Sequence, residues 1–531
     1  MTFLPIVERE LRVAARRKST YRIRSWTVVL AIVVSFFSLM FFLMVRGRAA
    51  VGHSLFTYLT FYAFGLCLLA GVFLTADCLS EEKREGTIGL LFLTDLHGYD
   101  VVLGKFTAML ISALYGLLAL LPITAFPLLL GGVTGGEFWR TALALVNALF
   151  VSLAAGVWIS ALARDGQHAM GRAFGLILML VAVLPALARV ASFSRFAWPL
   201  AMLSWLSPLS SFTYASAALY LNHAREFWGT LACTQFLGWV FIVLASLSLP
   251  NQWQQRTVEA QPRSYFERWL RRGRDNPAAR VKLRQELLPI NPVLWLAGAD
   301  IGFRKLTWLI LFIWAGVVVV VTVSTPQQVG SMMLGWSGAR PFGFLLKVLF
   351  TFQVCRFFTE ARRNGALEML LCTPLTNREI IRGQSIAARR AFLWPVVIFT
   401  GLLFLPVGVQ VVSGLSSLDF RQILTGGFGF AVSAMTVVRT IADFFALYWL
   451  GLWLSLTMKK PSLAPALTIL LVLILPSVLC VFDVFADLFF ILWGATKLQQ
   501  DFRWILAQQY RAATLPIQPP PVVPMPPVIA Q

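Results

Sequence analysis

Residue types that perform chemistry are sparse in this sequence, and their spacing argues against most of it. The four histidines, His53, His97, His168 and His223, are scattered, and the six cysteines form no CxxC pair. Metal centres need such ligands close together, so no metal site is expected. Gly98 to Lys105 superficially resembles a phosphate-binding loop. It has five residues between its glycines, one too many, and Phe106 stands where a Ser or Thr would hold magnesium. No paired carboxylates or nucleophile constellation appears elsewhere. The chain is therefore not expected to be an enzyme, and it should not hydrolyse ATP by itself.

Charges set among apolar residues are the second class of candidate. Lys347, Arg439, Asp443, Asp483 and Asp487 fall in or beside long apolar runs, where an ionisable group marks a functional site unless it snorkels outward. Lys347 lies well inside its run and is a candidate for a transport pathway. Arg439, Asp483 and Asp487 read better as run edges. Asp443 follows Arg439 by one helical turn, so a local ion pair is expected.

The third class is a charged segment that occurs twice. The first copy reads Ser80-Glu-Glu-Lys-Arg-Glu-Gly-Thr-Ile-Gly-Leu-Leu-Phe-Leu-Thr-Asp-Leu96. The second reads Thr359-Glu-Ala-Arg-Arg-Asn-Gly-Ala-Leu-Glu-Met-Leu-Leu-Cys-Thr-Pro-Leu375. One offset aligns Glu81 with Glu360, Arg84 with Arg363, Gly86 with Gly365, Thr94 with Thr373, Leu96 with Leu375 and Gly104 with Gly383. After an insertion, Gly156-Val-Trp-Ile-Ser160 matches Gly451-Leu-Trp-Leu-Ser455, and Pro5 matches Pro292. The glycines allow a turn without a Cβ penalty, and the leucines after them can present an apolar face.

The elements that must carry these segments are membrane helices. The chain has 531 residues, 58% hydrophobic and only 13% charged, about half the charged share of a soluble domain. Runs long enough to cross a bilayer occur at Trp26–Val45, Leu55–Ala76, Phe106–Leu130, Phe138–Ala163, Gly171–Leu187 and Phe227–Leu249. They recur at Thr307–Val323, Pro341–Phe357, Phe392–Val412, Phe430–Met458, Ser462–Cys480 and Val481–Leu498. The expected fold is an all-α polytopic membrane protein of about 12 transmembrane helices. They form two six-helix repeats, each preceded by an amphipathic interfacial helix. Both repeats start at the same face, which makes the repeat parallel.

The net charge of +21 gathers on one side of this topology. The positive-inside rule accounts for that without nucleic acid, and no nucleic-acid partner is expected. The chain divides into a first six-span half (1–250), a basic cytoplasmic linker (251–290), a second six-span half (291–514) and a Pro-rich disordered tail (515–531). Ser192 to Glu226, rich in Trp, Pro and Ser, reads as an external segment that re-enters or rests on the interface. No cleavable signal is expected at the start, and both termini are placed in the cytoplasm.

Glu-x-x-Arg-x-Gly-Thr, an amphipathic run ending Leu-x-x-Thr-(Pro/Asp)-Leu, then Gly-Lys or Gly-Gln before the third span, resembles the type-2 ATP-binding cassette (ABC) permease family. The resemblance implies that the region between spans two and three couples to a separate ABC-type ATPase subunit. That partner would be present in two copies and carry the ATP and magnesium that this chain lacks. The residues so implicated are Glu81, Glu82, Arg84, Gly86, Thr87 and Thr94 in the first copy. In the second they are Glu360, Arg363, Gly365, Thr373 and Pro374. The second copy departs from the family pattern with Asn364 and Ala366, and the first with Asp95. The implied function is export or flipping of a substrate across a bacterial inner membrane. The rival reading is a twelve-span secondary transporter driven by an ion gradient, which would want acids deep in its spans.

Overall fold

The computed structural model describes residues 4–16, 31–40, 51–75, 78–85, 97–163, 166–185, 202–253, 284–298, 301–324, 339–363, 366–405, 407–409, 420–458, 463–476 and 483–513, with a few isolated positions between them. No strand occurs among them. The first half comprises α1 (Leu4–Arg16), α2 (Ala31–Met40), α3 (Val51–Ala70), α4 (Cys78–Glu85), α5 (Gly98–Leu130), α6 (Gly135–Leu162), α7 (Gly166–Leu178), α8 (Pro208–Tyr214) and α9 (Ala217–Trp253). The second comprises α10 (Pro292–Gly298), α11 (Ile301–Ser324), α12 (Ala339–Arg363), α13 (Ala366–Leu371), α14 (Asn377–Leu402), α15 (Phe420–Thr457), α16 (Ala464–Ile469) and α17 (Asp483–Ala513).

Each of the twelve apolar runs is helical over its described residues, apart from a turn at Leu403–Phe404 and the run ends Ala163 and Met458. Among the described residues, seven helices are long and apolar enough to cross a membrane, and four shorter apolar helices fill further runs. The chain is an all-α polytopic membrane protein. With lipid around it, helices satisfy the backbone where open strands cannot.

Local sequence sets the helix ends. On α5, Asp100 accepts from the His97 amide at 3.1 Å. On α14, Glu379 accepts from the Thr376 amide at 2.7 Å. These are the same N-terminal capping arrangement at positions that the repeat offset aligns. Gly131 and Gly132, both at φ +83°, end α5 in a left-handed turn that favours glycine. Thr134 then caps α6 by accepting from the Glu137 amide.

Packing follows one order in the two halves. The helix of the fourth run is the hub: α6 packs on α3, α7 and α9, and α15 packs on α12, α16 and α17. The helix before the first span leans on the third, α1 on α5 and α10 on α14. The fifth run of each half contains a π turn, Met179–Val183 and Leu470–Ile474. Between the halves, Phe174 of α7 meets Phe344 and Phe352 of α12, with ring centroids 6.2 and 6.3 Å apart. The segment between the fifth and sixth runs folds inward at α8, where Pro208, Ser210, Ser211 and Ala215 are buried against α6 and α9.

Candidate coupling site

The first charged segment begins on α4 and is anchored to the end of α6. The amides of Leu79 and Ser80 both donate to Ser160 Oγ, at 2.9 and 3.1 Å. Lys83 Nζ donates to the carbonyl oxygen of Ala161. Carbonyls in a last helical turn lack intrahelical partners and carry the negative end of the helix dipole, so a lysine there satisfies both needs.

A buried ion cluster ties the same segment to two other elements. Lys105 of α5 lies 2.6 Å from Glu82 of α4 and 4.0 Å from Glu10 of α1. The Lys105 side chain is only 8% exposed, so the two carboxylates supply the charge that burial demands. The interfacial helix, the charged segment and the third span therefore meet at one ammonium group.

In the second half, Arg362 donates to the carbonyl oxygens of Leu456 and Met458, at 3.1 and 2.8 Å. The offsets that align the two charged segments and the two fourth helices pair Lys83 with Arg362 and Ala161 with Leu456. The contact is the same one. The ion cluster is not repeated: Glu10, Glu82 and Lys105 correspond to Ala297, Ala361 and Gln384, so all three charges are missing together. Neutral contacts stand there instead. Gln384 donates to Val354 O at 3.2 Å, and Asn291 donates to Glu379 O at 3.0 Å while accepting from Val293 N at 2.8 Å. Gly383 is needed for this docking, because a Cβ there would lie 2.6 Å from Asn291 Oδ1.

The other residues read from the sequence fall as follows. The backbones of Glu81 and Arg84 lie on α4 and that of Arg363 ends α12, but their side chains lie outside the described residues. Gly86, Thr87, Thr94 and Gly365 lie outside them altogether. Glu360 accepts from Arg356 Nε at 2.6 Å, one turn earlier. Thr373 donates to Leu370 O in the turn after α13, and Pro374 is exposed beside it. Lys347 and Asp443 form an ion pair between α12 and α15. The expectation that Asp443 pairs with Arg439 on its own helix thus missed the contact across helices. Asp487, read as a run edge, is instead buried at 1% exposure.

Residues 5–250, from α1 through nearly all of α9, match the model of the ABC-2 family transporter protein. This part of the chain is similar to the ABC-2 transporter family. The matched region contains the first charged segment and all three members of its ion cluster. No curated relative matches the chain. The sequence alone does not single out Lys83, Glu10 or Arg362 as site residues. The signal for Lys83 and Arg362 is present in the internal repeat, as a matched charge type rather than a matched identity. Glu10 has none, because it comes from a helix read only as interfacial.

Proposed function

We propose that the chain is the complete membrane unit of an ABC transporter, with two permease repeats on one polypeptide. It would export or flip its substrate with ATP hydrolysed by two copies of a separate ATPase subunit, which hold the ATP and magnesium. The domain limits at 250, 290 and 514 follow this reading. So do a bacterial inner-membrane location and cytoplasmic termini, with the linker on the same side.

The observation that carries the proposal is the cation at the end of the fourth helix, Lys83 on Ala161 and Arg362 on Leu456. In both halves it fixes the start of the charged segment to the hub of the bundle. When the ATPase subunits close, a push on either segment would reach the hub directly. In the first half it would also reach α1 and α5 through Lys105. Packed interfaces turn such small displacements into discrete rearrangements.

The test is charge reversal in the charged segments. Glu81→Lys and Glu360→Lys, singly and together, should reduce co-purification of an ATPase bearing a phosphate loop, or uncouple its turnover from substrate. A desolvated partner-facing charge pair that loses a member costs about 2–5 kcal/mol. Wild-type association and coupling in both normally folded variants would reduce the segments to interfacial loops. The gradient-driven alternative draws on the buried Lys347–Asp443 pair. Transport by the chain alone, abolished by an ionophore, would favour it.

A further inference from the structure

Helix α14 presents an exposed face that changes chemistry along its length. Arg382, Arg389 and Arg390 are exposed on its amino-terminal part. Leu393, Trp394 and Val397 are exposed beyond them, at 55%, 65% and 49%. Helical spacing makes this one surface: Arg389 lies over Leu393, Arg390 over Trp394, and Arg382 two turns before Arg389. The apolar part belongs to an apolar helix of membrane-spanning length, so the surface it continues is the one that meets lipid. Arg382 and Arg389 are about 10 Å apart along the axis. Their long side chains can converge on one headgroup layer by snorkelling. Trp394, one turn deeper than Arg390, has the amphipathic ring enriched at that boundary.

Two observations separate this face from a generic basic end. Among the described residues no carboxylate pairs with Arg382, Arg389 or Arg390, and the nearest acid in the sequence, Glu379, is engaged by Thr376. The equivalent face of α5 has Leu103, Leu110 and Ile111 in place of the three arginines, then Leu114, Tyr115 and Leu118. A third-span helix with the same cap and the same docked interfacial helix is thus built without these cations. Neither the fold nor the topology of that helix requires them.

We infer that the α14 face is a binding site for an anionic phospholipid. The guanidinium groups of Arg382, Arg389 and Arg390 would hold its phosphodiester, and Leu393, Trp394 and Val397 would line its acyl chain. Guanidinium groups suit phosphate oxygens through paired N–H donors. An ATPase docking surface is the competing occupant. It does not account for the continuation of the same face into exposed Leu393, Trp394 and Val397. The inference does not depend on the chain being an ATP-driven transporter.

The experiment uses the full chain in nanodiscs of phosphatidylcholine and phosphatidylglycerol. Phosphatidylglycerol retained per protein after a delipidating detergent wash is counted by mass spectrometry. Each basic residue at a membrane surface changes lipid affinity about fivefold. Arg389→Gln/Arg390→Gln should therefore cut retention at least about fivefold, and Arg389→Lys/Arg390→Lys should keep most of it. Arg284→Gln/Arg304→Gln, which removes two exposed cations outside α14, should leave it unchanged. Equal loss in both Gln pairs, unchanged retention in R389Q/R390Q, or loss of ATPase binding with retention intact would each overturn the site. On the unaltered chain, a photoactivatable phosphatidylglycerol should label residues 382–397 in preference to its phosphatidylcholine analogue. Equal labelling by the two would also overturn it.

Discussion

Arg362 donates a 2.8 Å hydrogen bond to the carbonyl oxygen of Met458, at the place in the second half where Lys83 donates to Ala161 in the first. Both cations sit at the carbonyl end of a hub helix, where charge and hydrogen bond act together. A cation in a partly buried helix C-terminal site contributes up to about 2 kcal/mol. Lys83→Met and Arg362→Leu should each cost about 1–2 kcal/mol, and Arg362→Lys less than half of that. Unfolding temperatures of the purified variants in one detergent measure it. No change for either variant would show that the contact is not a fixed anchor.

The ion cluster of the first half makes a stronger prediction. Lys105→Met leaves Glu82 and Glu10 facing each other without their cation, and breaking a buried pair from one side costs about 3 kcal/mol or more. Removing both members together is far milder. Glu82→Ala/Lys105→Gln reproduces the pair Ala361 and Gln384 that the second half uses in this position. The double variant should therefore regain most of the stability lost by Lys105→Met. A double variant as unstable as the single one would mean that the two sites have different surroundings.

Lys347 and Asp443 allow structural and transport roles to be separated. Their side chains are 13% and 3% exposed, so Lys347→Met or Asp443→Asn alone should cost about 3–5 kcal/mol. Lys347→Met/Asp443→Asn should be near wild type in stability. If Lys347 lines the pathway, the stable double variant loses transport. If it only holds α12 to α15, transport survives. Unfolding temperature and substrate flux, measured on the same preparations, decide between the two.

Much of the helical architecture was legible because hydrophobic length is read directly from sequence. All twelve runs fall mainly on helix over their described residues, with a turn at Leu403–Phe404 inside one of them. The partner of Asp443 was not legible. Spacing along one chain offers Arg439, whereas the contact with Lys347 depends on how two helices are rotated against each other. Lys105 was noticed only inside a false phosphate loop, because its partners come from α1 and α4 and share no local pattern with it. The π turn at Gly71–Thr75 was invisible for a related reason. One extra residue in a turn barely disturbs the periodicity of an apolar run.

That π turn marks a close crossing in the first half, and it gives the last prediction. Ser152 Oγ donates to Cys67 O at 2.6 Å, and Thr75 Oγ1 donates to Gly71 O at 2.6 Å. A Cβ on Gly156 would lie 2.0 Å from Thr75 Oγ1 and 2.2 Å from Gly71 O. Those separations are far inside van der Waals contact, and one of the atoms is backbone. Gly156→Ala must therefore push α3 and α6 apart, which also strains the Ser160 and Lys83 anchors one to two turns along α6. Overpacking of this kind costs about 1–3 kcal/mol or more. Thr75→Ala should not rescue Gly156→Ala, because the carbonyl of Gly71 remains in the way. In the second half, a Cβ on Gly451 would lie 3.1 Å from the Cys355 sulfur, a side-chain atom with no backbone atom beside it. Gly451→Ala should therefore be milder than Gly156→Ala. Unfolding temperatures of the three single variants and the Thr75→Ala/Gly156→Ala pair test the order, and equal losses at Gly156 and Gly451 would refute it.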